Sequence, residues 1–181
     1  MKMVKIILLI VVLIVAIPLI IALFVDKNYS VRREIVINKA RQEVFNYLKF
    51  LKNQEKYSKW VMMDPNMKKE YRGTDGTVGF VYAWNGNNQA GEGEQEIRSI
   101  KEGEKLDLEI RFKRPFEGIA KTPFITEPVS DTQTKVIWGM SGRSKYPLNF
   151  TNLFIDNMLG KDIDISLRNL KAILENNKEL L

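Results

Sequence analysis

The chain has 181 residues, of which 28 are Lys or Arg and 22 Asp or Glu, with a net charge of +6, no His and no Cys. The two absences exclude His-ligated metals, Ser-His-Asp hydrolysis, thiolate nucleophiles, disulfides and Cys-bound clusters, so any chemistry falls to Asp, Glu, Lys, Tyr, Ser or Thr. The cations are scattered among acids rather than gathered in a stripe, so no nucleic-acid partner is expected, and neither is a metal or a cofactor.

The first element is an uncharged apolar run, "IILLIVVLIVAIPLIIALFV", Ile6 to Val25. Its length suits a helix crossing about 30 Å of hydrocarbon, and Pro18 is tolerated there. A cleaved signal peptide is the rival reading, but its apolar core is shorter and ends at small residues. The expectation is a single-pass anchor (residues 1–27) in a bacterial inner membrane, followed by a soluble domain (residues 28–181). Lys and Arg flank both ends of the run, which leaves the side of the membrane open.

The domain begins with the alternation of "YSVRREIVIN", where Val31, Arg33, Ile35 and Ile37 share one face of a strand. Asn38 is the expected cap of a following helix, which runs through "KARQEVFNYLKFLKNQEKYSKW" with Val44, Phe45, Leu48 and Leu51 inward. Six strand candidates follow: Met67–Arg72, Thr77–Trp84, Ala90–Ile100, Leu106–Phe112, Ile119–Thr126 and Thr134–Gly142. Val78, Phe80, Tyr82 and Trp84 are expected on one side of the second, and Val136, Trp138 and Met140 on one side of the last. A long helix closes the chain, from about Leu148 to Asn176, with Ile155, Leu159, Ile163, Leu167, Leu170 and Leu174 in one stripe. Gly160 inside it signals close packing or a bend, or else space for a ligand.

Consecutive strands with short turns, and helices on one face, argue for an α+β fold. The segments "REIVINKARQEVFNYLKFLKNQEKYSKW", "DPNMKKEYRGTDGTVGFVYAWNGNNQAGEGEQEI", "KLDLEIRFKRPF", "TKVIWGMSG" and "NMLGKDIDISLRNLKAILE" resemble the START-like (SRPBCC, helix-grip) superfamily, and its polyketide cyclase/dehydrase-like branch in particular. The resemblance covers roughly Ser30 to Glu175. It implies a seven-stranded antiparallel sheet wrapped around the long C-terminal helix, preceded here by one transmembrane helix. It also implies a cavity for a small hydrophobic ligand between sheet and helix. The oxygenase members bind iron through His, which this chain lacks.

The cavity wall is expected to include Trp60, Phe80, Tyr82, Trp84, Gln95, Ile97, Leu108, Ile110, Phe112, Trp138, Met140, Ile155, Met158 and Leu159, and Gly91 and Gly93 are expected to leave room beside it. Asp64, Tyr82 and Glu96 are the weak candidates for acid–base work. Glu92, Glu94 and Glu96 have the parity opposite to Ile97, so they read as the wet face of a strand: three buried, unpaired carboxylates would cost several kcal/mol each. Asp75 in "GTDG" reads as a turn residue, and Lys113 and Arg114 as a solvated strand end. The favoured function is a membrane-tethered domain that binds a lipid-like or polyketide-like hydrophobic ligand without catalysis. The alternatives are a cyclase or dehydratase-like enzyme using the same cavity, and a non-catalytic interaction domain at the membrane surface with a filled core.

Overall fold

A computed structural model describes residues 2–176. Helix α1 spans Lys2–Ala22, and 21 residues of this hydropathy are long and apolar enough to cross a membrane. Strand β1 (Asn28–Ile37) follows, then α2 (Arg41–Lys49), a 3-10 turn (Leu51–Asn53), and the short helices α3 (Gln54–Tyr57) and α4 (Lys59–Met62). The strands β2 (Lys68–Arg72), β3 (Val81–Asn85), β4 (Glu92–Lys101), β5 (Lys105–Arg114), β6 (Gly118–Lys121), β7 (Phe124–Ser130) and β8 (Gln133–Arg143) come next. A second 3-10 turn (Leu148–Leu153) leads into α5 (Ile155–Asn176).

The strands form one antiparallel sheet in the order β1-β8-β6-β5-β4-β3-β2, with β7 between β5 and β8. There are eight strands rather than the seven expected. The extra one arises because the predicted strand Ile119–Thr126 is split at Thr122-Pro123, where proline cannot donate to a ladder. The two halves pair in turn with β5 and β8, so the sheet still has seven positions across.

Burial follows the alternation. Leu106, Leu108 and Ile110 are buried on β5, and Val136, Trp138 and Met140 on β8. The stripe of α5 packs on this face, with Ile163, Leu167, Leu170 and Leu174 buried. Burying each such side chain contributes about 1.5–3 kcal/mol. Arg33 has inward parity on β1, and the space it enters lies under α5. A Cβ on Gly160 would sit 2.0 Å from its Nη2, so that glycine serves close packing. The guanidinium donates to both Asp156 oxygens at 2.9 Å and reaches Asp164 at 3.3 Å, which satisfies the charge.

Three local expectations change. Asn38 caps no helix: its N–H donates to Glu175 Oε1 (2.7 Å) and its Oδ1 accepts from Gln133, while the N-cap position is Ala40. The helix expected through Trp60 is broken into pieces because other groups capture its backbone N–H groups. Leu51 N and Lys52 N donate to the Asp75 carboxylate at 2.8 and 3.2 Å, and Lys59 N donates to Ser166 Oγ at 2.9 Å. Asp75 thus sits in its turn and also caps a helix. The strand expected from Thr77 starts only at Val81, after Gly79 at φ +87°, which leaves Val78 exposed.

Candidate functional site

Between β3, β4, β5 and β8 on one side and α3, α4 and α5 on the other lies a cavity of about 140 Å³. Its wall combines Trp60, Val61, Met67, Tyr82, Trp84, Ala90, Ile110, Phe112, Trp138, Met140 and Leu159 with the polar Gln54, Ser58 and Gln95. None of these side chains is charged. Edge-to-face pairs order the aromatic walls: Trp60 on Trp138 (centroids 5.6 Å apart) and Trp84 on Phe112 (6.3 Å). Trp138 Nε1 donates to Thr122 Oγ1 (2.8 Å) and Trp84 Nε1 to the Ala90 carbonyl (3.1 Å), so both indoles are held in one orientation.

The chain therefore brings together Trp60, Tyr82, Trp84, Gln95, Ile110, Phe112, Trp138, Met140 and Leu159 of the expected wall. Phe80, Ile97 and Leu108 lie instead in the solid core, each 2% exposed or less. Ile155 packs at the edge of that core, and Met158 points outward, 62% exposed. Met158 and Leu159 are adjacent on α5, and the helical turn sends only one of them inward. Gly93 does not leave open room. It stands across from Trp84 in the register, and a Cβ there would meet the indole at 2.8 Å and Arg111 O at 2.7 Å, so the ring of Trp84 occupies the space. Gly91, at φ +68°, serves the hairpin turn, where a Cβ would lie 2.4 Å from Arg114 O.

Gln54, Ser58 and Val61 were not foreseen on the wall. A signal existed: they continue the stripe Val44, Leu48, Leu51 at spacings of three and four. The polar identity of Gln54 and Ser58 hid that continuation.

Two wall residues carry an unpaired polar atom. The Tyr82 hydroxyl and the Gln54 Nε2 are buried without a hydrogen-bond partner among the described residues. Tyr82 is 2% and Gln54 3% exposed. Leaving such groups unpaired costs about 1–3 kcal/mol each. Burial, followed by the nearby Tyr71 and Glu55, pushes the Tyr82 phenol well above its ordinary value, so it is neutral and has an O–H to donate.

The other acid–base candidates lie off the wall. The Asp64 carboxylate accepts from Asn66 N (3.0 Å) and Asn87 N (2.7 Å), pinning the β3–β4 hairpin. Glu92, Glu94 and Glu96 lie on the outer face. Arg111 bridges Glu94 (2.8 Å), Glu96 (2.7 Å) and Glu109 (2.6 Å), and Arg98 holds Glu96 at 2.8 Å. Hydrogen bonds from Arg111 and Arg72 hold Glu94 below the usual carboxylate range. For Glu96, partial burial pushes the pKa up, and the bonds from Arg111 and Arg98 outweigh it, so the net shift is downward. Among the described residues no group of three His, Cys, Asp or Glu is placed to hold a metal.

No protein-family model and no curated protein matches the chain. Solved structures do. Norcoclaurine synthase from Thalictrum flavum, in complex with dopamine and hydroxybenzaldehyde, is similar at a TM-score of 0.66 and 9% identity, over 88% of this chain and 94% of that one. The di-domain ARO/CYC StfQ from the steffimycin biosynthetic pathway is similar at 0.61 and 11%, over 83% and 52%. Ara h 8.0201 is similar at 0.57 and 15%, over 83% and 99%. At these identities the likeness is one of fold: the chain has the α+β helix-grip architecture, a large antiparallel sheet closed by a C-terminal helix and preceded by an apolar N-terminal helix.

Proposed function

We propose that residues 28–176 form a binding domain for a small, uncharged, hydrophobic ligand carrying an oxygen acceptor, tethered to a membrane by the segment 1–27. One observation carries this reading: an apolar cavity whose lining residues include Gln54 and Tyr82, each with a buried donor that has no partner among the described residues. A ligand carbonyl or ether oxygen would relieve their desolvation. A carboxylate ligand would find no cation in the wall, and an isolated buried ion is costly. The volume sets the size, since an engineered apolar cavity of about 150 Å³ holds benzene. The expected ligand therefore places one ring or a short chain inside, and a longer lipid-like or polyketide-like molecule would enter only in part. The norcoclaurine synthase structure, whose two bound compounds each carry a single benzene ring, is consistent with that size.

Binding is proposed rather than turnover because acid–base chemistry needs a proton acceptor at the substrate. Asp64 holds a hairpin, Glu96 is paired on the outer face, and burial raises the Tyr82 pKa, which favours the neutral phenol.

All three tryptophans of the chain line the cavity, so intrinsic fluorescence reports on it directly. In lipid nanodiscs, with empty nanodiscs as blank, acetophenone is expected to perturb the emission saturably, toluene to bind more weakly and benzoate not at all. No saturable change with either neutral compound would refute the proposal.

A further inference from the structure

The link between α1 and the domain is not a loose tether. Asn149 Nδ2 donates to Ala22 O (2.6 Å) and Val25 O (2.9 Å), which caps the otherwise unpaired carbonyls at the end of α1. Asn152 Nδ2 donates to Asp26 O (2.8 Å) and Lys27 O (3.1 Å), and Ser144 N donates to Lys27 O (2.8 Å). Tyr146 OH reaches Leu19 O at 3.4 Å, and both Ala22 and Asn149 are buried by the contact. The segment 143–154 is thus bonded to the last turn of a helix whose residues from Ile6 to Ile21 are apolar and mostly exposed.

The same segment, together with the first turn of α5, presents an exposed apolar surface. Tyr146, Leu153, Phe154 and Met158 are 45, 53, 51 and 62% exposed. Phe150 packs edge-to-face on Phe154 at 5.8 Å. Residues 26–29 and 143–158 carry the cations Lys27, Arg143 and Lys145 against the acids Asp26 and Asp156, and Asp156 is paired with Arg33 at 2.9 Å. Aromatic residues with adjacent cations are what a bilayer interface with anionic headgroups favours.

We propose that the 143–158 surface rests in the interface of an anionic bilayer beside α1, so that the domain is held against the membrane with the cavity end of its sheet facing the lipid. The proposal rests on reading α1 as a retained anchor. The position follows from that reading: residues bonded to Leu19, Ala22 and Val25 cannot lie far from the interface if α1 spans the bilayer. The sheet register supplies the orientation. Asn28 stands opposite Arg143, Ala120 opposite Gly142, Phe112 opposite Gly118, Glu92 opposite Arg114, and Asn85 opposite both Glu92 and Lys68. These pairs trace a single rim, from the strand that leaves the anchor to the strands that carry Trp84 and Phe112. Met140, on the cavity wall, stands opposite Val31, about 10 Å along β1 from Asn28. A hydrophobic ligand dissolved in the bilayer would therefore meet the cavity end of the domain first.

The absence of Cys permits single-site labelling of the full chain. Leu13→Cys (mid-anchor), Leu153→Cys (the surface) and Asp131→Cys (the β7–β8 turn at the opposite end) each carry an environment-sensitive fluorophore in anionic vesicles. Lipids spin-labelled at either acyl depth or the headgroup serve as quenchers. Expected are loss of emission at 13 with the deep quencher, loss at 153 with the shallow one, and none at 131. Quenching at 13 without quenching at 153 overturns the membrane-facing surface and leaves the anchor standing. No quenching at 13 overturns the anchor reading and this proposal with it. Shielding at 153 that grows with protein density but ignores the lipid quencher also overturns it, in favour of a second copy on that face.

Discussion

Replacing Gln54 with Leu separates a binding group from a structural one, because the two roles predict opposite signs. Gln54 is 3% exposed and its Nε2 has no partner, so this donor is desolvated without return in the unliganded chain. An apolar side chain of similar size removes a penalty of about 1–3 kcal/mol. For a chain of this length each kcal/mol shifts Tm by about 2–4 °C, so Gln54→Leu is expected to melt several degrees higher. The same change removes a hydrogen bond to the ligand, worth about 0.5–1.5 kcal/mol, or roughly a two- to twelvefold weaker Kd for acetophenone. Toluene makes no such bond and should bind at least as tightly as before. The assays are thermal unfolding by circular dichroism and tryptophan titration, on the full chain in nanodiscs. A lower Tm, or an equal loss of affinity for ketone and hydrocarbon, would refute the reasoning, since Gln54 would then be a packing or scaffold residue.

Three further outcomes are expected. Gly93→Ala drives a methyl into the Trp84 ring and Arg111 O, and overpacking of this kind costs about 1–3 kcal/mol, so chemical denaturation should show a lower midpoint together with an altered tryptophan spectrum. Glu94 and Glu96 have depressed folded pKa values, so their stabilisation is fully present above the unfolded carboxylate value of about 4.3 and is lost as pH falls through the lower folded values. The double variant Glu94→Gln, Glu96→Gln should therefore flatten the acid limb of a pH–stability curve, and an unchanged limb would count against the Arg111 network as its source. Asn149→Ala uncaps the end of α1, and limited trypsin digestion should cut faster after Lys27 while the cavity still binds acetophenone.

Sequence alone was informative where burial imposes a local repeat. Period two placed Leu106, Leu108 and Ile110 inside and the Glu92, Glu94, Glu96 row outside, because a strand shows alternate residues to alternate faces. Spacings of three and four found the α5 stripe for the corresponding helical reason. The α+β order and the helix-grip architecture followed from those repeats together with the resemblance. Tertiary structure decided whatever depends on partners distant in the chain. Which aromatic residues surround a space and which fill one turned on register, as when Trp84 closed the gap over Gly93. The first long helix was cut where Asp75 and Ser166, both far along the chain, took its N–H groups. Asn149 reached back across the chain to cap α1, which no local pattern encodes. A side chain's face is set by its neighbours in sequence, whereas the object it meets there is set by packing of the whole chain.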